Sequence, residues 1–477
     1  MYRRLLAASA VFALLSGVAH AQTAAQKQGI KDYFAGDPVA TAEALRDKAL
    51  LDRTAWDITE DLTTNIGPRL VGSPAMERAK DWGVAKFKAL GFTNVKVEEP
   101  SWTRGEESAQ LIAPYPMKLD IVGLGRTVPT PAAGIEAEVA LFRTYAEMIA
   151  APEGALKGKI AVITQPMVRA QDGSGYGVAG ISRRSGPTEA AKRGAVALLI
   201  RSVSTSDSTV PHTGVTGFGE GVVTIPAAAI GVPEAEQLER LAKKGPLRIK
   251  LKLASTVDPN DVAWNISGEI KGSEKPDEVI VIGGHLDSWD VGTGALDDAT
   301  GIGITTAAAK LIGDLPKHPK RTIRVVMWGS EESGGSSEAY IAAHKDEVPK
   351  IVLAGESDSG ADRIYALNLP AGATSHPLAT TAANVLAPLK IYVSRQPATH
   401  GGADIEGLEK AGVPSFALEQ DASRYFDYHH TADDTLNKVD PLQLAQNVAA
   451  WTSLIYLVAD SDIDFRALKA AAPAAAH

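Results

Sequence analysis

Four short segments of this chain concentrate imidazoles and carboxylates. His285, Asp287, Asp297 and Asp298 fall within GGHLDSWDVGTGALDD, directly after the apolar run at 279–282. Glu331 and Glu332 follow a second apolar run at 321–328, and Glu356 and Asp358 follow a third at 350–354. His429 and His430 stand together in YHHT. Like charges this close repel one another, so such a cluster calls for solvent or for a bound cation. Imidazole and carboxylate without thiolate suit zinc, with manganese or cobalt as substitutes. Two histidines with several carboxylates are more than one catalytic zinc uses. Two metals sharing a bridging carboxylate, at about 3.5–4 Å, fit better.

Each segment alone has a plainer reading. Acidic residues gather at helix starts as caps, and a lone histidine is more often a satisfied core residue than a ligand. What sets the four apart is where they fall. Three of them follow predicted strands, at 278–284, 321–328 and 350–354, and a fourth strand is expected at 413–418. Helices are expected at 300–314, 336–346, 376–387, 404–411 and 441–459. Alternation of this kind predicts a largely parallel sheet with helices on both faces, and ligands of such sheets bind beyond the carboxyl ends of the strands. The expected fold class is therefore α/β, a mostly parallel mixed sheet flanked by helices.

Upstream, helical spacing marks 55–66 and 76–90, and 94–98 alternates as a strand. From 121 to 256 the texture changes to frequent Gly, Pro and Ala with short β-like runs at 159–163 and 197–200, and helices at 188–193 and 233–243. This predicts a small β-rich unit inserted between two segments of the main domain, 22–120 and 257–464, with an Ala-rich tail at 465–477.

The 477 residues carry a formal net charge of −9, which gives a polyanion such as nucleic acid no purchase. Arg3 and Arg4, the apolar stretch at 5–18 and Ala19-His20-Ala21 read as a secretory signal peptide over 1–21, too short to span a bilayer comfortably. The mature protein is then expected outside the cytoplasm, periplasmic or secreted, with no membrane attachment. There is no cysteine, which excludes disulfides, thiolate ligands and cysteine nucleophiles. None of the ten histidines begins a His-Glu-x-x-His, and no Gly-x-Ser-x-Gly occurs, so thermolysin-like and serine-hydrolase readings fail. Gly301-Ile302-Gly303 lacks the Lys-Ser/Thr ending of a phosphate loop. Asn265-Ile266-Ser267 fits a glycosylation triplet but sits in an expected strand.

Taken together, GPRL at 67–70, WTRGEESA at 102–109, PHTG at 211–214, GHLDSWDVG, WGSEESGG, ESDSG, THGGADI and YFDYHHTADDT resemble the di-zinc exopeptidases, and within them the carboxypeptidase Q branch. The resemblance covers nearly the whole mature chain. It implies a di-zinc exopeptidase fold, an insertion similar to the protease-associated domain, two zinc ions per chain, a homodimer and hydrolysis of short peptides through a water bridging the metals. Dipeptides with free termini are the first expectation, an aminopeptidase acting on longer peptides the second, and a zinc amidase or deacylase the third. Residue by residue, it implies His285 and Glu332 on one metal, Asp358 and His430 on the other, and Asp297 bridging, with its bond to Asp298 in cis. Asp287 would orient His285, and Glu331 would be the general base. The family pattern His-Thr-x-x-Asp-Thr matches 430–435 and selects His430 over His429. Candidates for holding substrate are Arg183 and Arg184 on the insertion, as clamps for a terminal carboxylate, with His400 and Tyr428 near the metals; His212 is a weaker candidate.

Overall fold

The computed structural model describes residues 37–87, 93–98, 101–258 and 262–471, so the leader at 1–21 and most of the tail lie outside the described residues. The segments rich in His, Asp and Glu hang from a five-stranded mixed sheet of β1 (Thr93–Glu98), β2 (Val262–Ile270), β3 (Lys275–His285), β4 (Arg321–Trp328) and β5 (Ile351–Glu356), in the order β1-β2-β4-β3-β5. β3 runs parallel to both β4 and β5, and β2 is antiparallel to β1 and β4. Every residue of β4 is buried, as are residues 279–285 of β3, which explains why both read as continuous apolar runs instead of alternating ones. Helices α1 (Thr300–Gly313) and α2 (Pro441–Ala459) pack on each other and are buried along nearly their whole length. Asp440 caps α2, its carboxylate accepting the Leu442 and Gln443 N–H groups.

Because β3, β4 and β5 run the same way, His285, Glu331-Glu332 and Asp358 emerge at one edge of the sheet. The expected α/β class and its layering are what the structure has. The strand expected at 413–418 differs. Ser415 makes only an isolated bridge to Ala354, and the strand proper is Ala417–Gln420, in a separate three-stranded sheet with Ile364–Asn368 and Tyr392–Val393. Pro414 has no N–H to give a ladder, so it enters the pairing through its carbonyl alone, which accepts from Ala354 N.

A second, eight-stranded sheet draws its strands from Glu107–Ala113 through Arg248–Leu253 and has its own apolar core. It carries helices as well as strands. Gly186–Lys192 and Val232–Ala242 fall where helical spacing places them, whereas Gly175–Arg184 was hidden by three glycines in ten residues. That unforeseen helix bears Arg183 and Arg184.

Candidate metal centre

His285 ends β3 and is fully buried. Its Nε2 lies 2.9 Å from Asp297 Oδ1 and 3.6 Å from Asp358 Oδ1, and its Nδ1 lies 2.9 Å from the Asp287 carbonyl. The other oxygen of Asp297, Oδ2, is 3.3 Å from His430 Nε2, which in turn is 3.0 Å from Glu332 Oε2. Two donor sets therefore share Asp297: His285 with Asp358, and His430 with Glu332. The expected pairing has Glu332 with His285 and Asp358 with His430, whereas the short contacts here are His285 to Asp358 at 3.6 Å and His430 to Glu332 at 3.0 Å. His285 also stands within metal-binding reach of Glu331 and Glu332, and Asp297 within reach of both His429 and His430.

The two neighbouring histidines are set apart by their surroundings. Their rings stack at 3.5 Å between centroids. His430 adopts φ +62° and reaches both Asp297 and Glu332, whereas His429 Nε2 stays 3.8 Å from Asp297. His430 is thus the nearer of the two to Asp297.

Long-range hydrogen bonds hold the loops. The Asp287 carboxylate accepts the backbone N–H groups of Glu331 (3.0 Å) and Glu332 (3.1 Å). Asp434 takes the N–H groups of Ala295, Leu296 and Asp297. Asp298, joined to Asp297 by a cis bond, accepts from His285 N and Gly301 N. Arg69 is fully buried and donates to the carbonyls of Leu286 (2.6 Å), Gly67 (3.0 Å), Thr293 (2.8 Å) and Gly294 (3.1 Å). Trp289 Nε1 donates to Glu332. Asn265, buried in β2, accepts from Gly329 N and donates to Ser336 O, so the glycosylation triplet serves the Glu331 loop instead.

Burial sets the electrostatics. It disfavours the charged form of His285, but Asp287, Asp297 and Asp358 outweigh it and hold the imidazole well above its ordinary range. Burial also opposes ionisation of Asp297, yet His285, His429 and His430 keep its carboxyl far below the usual range. Burial and neighbouring carboxylates push Glu331, Glu332 and Asp298 well up, and Asp434 up to about 7. Glu332 Oε1, Asp358 Oδ1 and His429 Nδ1 are buried without a hydrogen-bond partner. Orphaned ligand atoms among mutually repelling buried carboxylates are what a divalent cation would neutralise, so the residues present fit a metal, and by donor type zinc.

The cluster opens into a cavity of about 400 Å³, lined by Asp297, Glu331, Glu332, Asp358 and His430 from the main sheet's loops and by Tyr176, Arg183, Arg184 and Val215 from the second unit. Arg183 is buried, and its Nε has no hydrogen-bond partner. Nη2 donates to Tyr176 Oη at 2.6 Å, and Nη1 donates to Thr213 O at 3.2 Å, against His430 Nδ1. Arg184 is exposed and lines the cavity, as does His400. Tyr428 does not; it lies in a small neighbouring crevice, its ring beneath Lys438, and Tyr425 and Phe426 line the cavity in its place. His212 is buried, and burial pushes its imidazole down to about 4.

Asp434, Trp289 and Arg69 carry roles that spacing did not reveal. Asp434 is the aspartate of the His-Thr-x-x-Asp-Thr motif, but nothing local says that its partners are 137–139 residues away. The second unit also grips the 421–431 segment. Arg169 pairs with Asp427 at 2.8 Å, Ser204 Oγ donates to Phe426 O, and Thr213 N donates to His430 O.

Residues 265–455 match Peptidase family M28. Carboxypeptidase Q of Mus musculus is 38% identical over 406 residues, covering 84% of each chain, and that of Homo sapiens is 38% identical over 407 residues with the same coverage. A crystal structure of a Peptidase M28 precursor from Shewanella amazonensis is 41% identical, with a TM-score of 0.87 over 90% of this chain and 98% of that one. A zinc aminopeptidase from Bacillus subtilis shares the fold at 20% identity, with a TM-score of 0.60 over 85% of this chain and 94% of that one.

Proposed function

Because this chain belongs to Peptidase family M28 and is therefore a metallopeptidase, we propose that it hydrolyses short peptides, foremost dipeptides with free termini. The observation that carries this reading is the cavity of about 400 Å³ over the ligand cluster, a volume suited to a small substrate and roofed by a second unit that supplies cations. The similarity to carboxypeptidase Q supports it.

In this reading two zinc ions bind per chain. His285 and Asp358 would hold one and Glu332 and His430 the other, with Asp297 between the two sets. When bound, the metals polarise the scissile carbonyl and make water acidic enough to attack near neutral pH. Glu331 takes the proton from the attacking water and returns it to the leaving amine. Burial and its carboxylate neighbours raise its proton affinity, as a base that must later act as an acid requires. Asp287 sets the position of Glu331 through its backbone N–H. Arg184 clamps the substrate's carboxylate; Arg183, bonded to Tyr176 Oη and Thr213 O and set against His430 Nδ1, positions those groups. The proposed organisation is two peptidase segments around an inserted protease-associated-like unit, in an exported protein that loses residues 1–21.

The test is a panel of free, N-blocked and C-amidated dipeptides and longer peptides. Cleavage confined to free dipeptides supports the proposal. Release of N-terminal residues from long or amidated peptides selects an aminopeptidase, and cleavage of acyl amides alone a deacylase.

A further inference from the structure

Glu356 ends β5 and has no part in the ligand sets or the proton shuttle proposed above. It is 7% exposed, and its two carboxylate oxygens are treated differently. Oε2 accepts the Asp404 backbone N–H at 2.9 Å. Oε1 is buried and has no hydrogen-bond partner, although the side chain lines the cavity. The loop beside it is tightly fitted. Glu356 N donates to Gly401 O at 2.7 Å, and Gly402, at φ +130°, lies so close that a Cβ there would come within 2.4 Å of Glu356 Cβ. One oxygen is thus anchored, and the other is held at a fixed position with its bonding capacity unspent.

A buried carboxylate oxygen without a donor is destabilising, and native proteins rarely leave one so unless a ligand completes it. For the ionised carboxylate the missing partner is a donor, and charge selects among donors. Glu331 and Asp358 face the same cavity, so a cation entering there is drawn by all three carboxylates. The cavity's arginines come from the other unit, which gives a zwitterionic peptide two unlike ends to match. We propose that Glu356 accepts the free α-ammonium group of the substrate through Oε1, and so determines specificity for an unblocked N-terminus. This rests on the peptidase reading above.

The experiment uses the metal-loaded, full-length enzyme and E356Q, with a free dipeptide and its N-acetyl counterpart. Each is read as kcat and KM where it is cleaved and as an inhibition constant where it is not. Glutamine keeps the shape and an oxygen for Asp404 N–H while removing the charge. The expected result is a rise in KM for the free dipeptide of about 10–100-fold, the size of one charge-assisted hydrogen bond, with the N-acetyl compound unaffected. Metal content and thermal midpoint should not fall. Equal losses on both compounds, a lower metal content, or no change in KM overturns the assignment. If E356Q does not fold, the wild type decides: binding the N-acetyl dipeptide as tightly as the free one overturns the assignment, and tighter binding of the free one upholds it. A wild type that cleaves no peptide at all defeats the underlying peptidase reading, which is a different result from cleavage without preference for a free amine.

Discussion

Replacing Arg69 with methionine tests whether the metal loop is held from behind by a single buried cation. The guanidinium donates four hydrogen bonds to backbone carbonyls, three of them in the 286–294 segment that joins His285 to Asp297. Burial lowers its pKa to about 10, while Asp434, Asp287, Asp298 and Asp297 pull the other way, so it is charged at neutral pH. Each hydrogen bond to a charged group contributes about 1.5–3 kcal/mol, but bonds within one network do not add. Removing one member of a buried charged network costs about 3–5 kcal/mol, and that is the loss expected for R69M in urea denaturation. Because the freed segment carries ligands at both ends, zinc affinity should fall by roughly 10–100-fold, read by competition with a chelator. R69K keeps the charge but offers one nitrogen in place of a planar fork, so it should recover less than half of either loss. A fall below about 1 kcal/mol with unchanged zinc affinity would refute the argument, because the four bonds would then be incidental to the loop.

D287N should lower activity or metal affinity by about 10–100-fold, because an amide cannot accept from both Glu331 N and Glu332 N as the carboxylate does; wild-type kinetics in D287N would remove its positioning role. His212 is held neutral in the folded chain with a pKa near 4, against 6.5 ordinarily, so the unfolded chain binds the extra proton between those values. Stability is therefore complete above pH 6.5 and declines by up to about 3 kcal/mol as the pH falls toward 4. H212Q should flatten that slope in urea titrations at pH 7 and 4.5, and parallel slopes would show that His212 is not responsible. R184A should raise KM for free dipeptides well above its effect on C-amidated ones; equal effects would sink the carboxylate clamp.

The parts of this molecule that a linear pattern encodes were readable in advance. β4 spans the residues of its apolar run, α2 spans 441–459 as its spacing indicates, and the acidic segments stand at the ends of parallel strands, where an α/β sheet gathers its ligands. Glu331 and Glu332 reach the cavity because β3, β4 and β5 share a direction, which strand and helix alternation already implies. What could not be read depends on distance across the fold. Which carboxylate stands beside which histidine is fixed by how far Asp358 and Glu332 lie from each imidazole. Arg69 and Asp434 stand in quoted motifs, but most of the backbone groups they bond lie more than 130 residues away, and no local pattern records those partners. The resemblance puts Tyr428 near the metals, yet its ring lies under Lys438 and lines a neighbouring crevice. The helix carrying Arg183 and Arg184 was masked by glycines that its packing tolerates.

The central claim is that a buried His and carboxylate cluster binds catalytic metal while Glu331 moves the proton. It is tested most directly by comparing zinc content and dipeptide hydrolysis in the purified wild type and E331Q. The account predicts about two zinc ions per chain in both proteins and a loss of activity of at least roughly a hundredfold in E331Q, since general acid–base groups contribute about 10²–10⁴-fold. A variant that keeps its activity, or a wild type that binds no metal and still hydrolyses peptides, would contradict it.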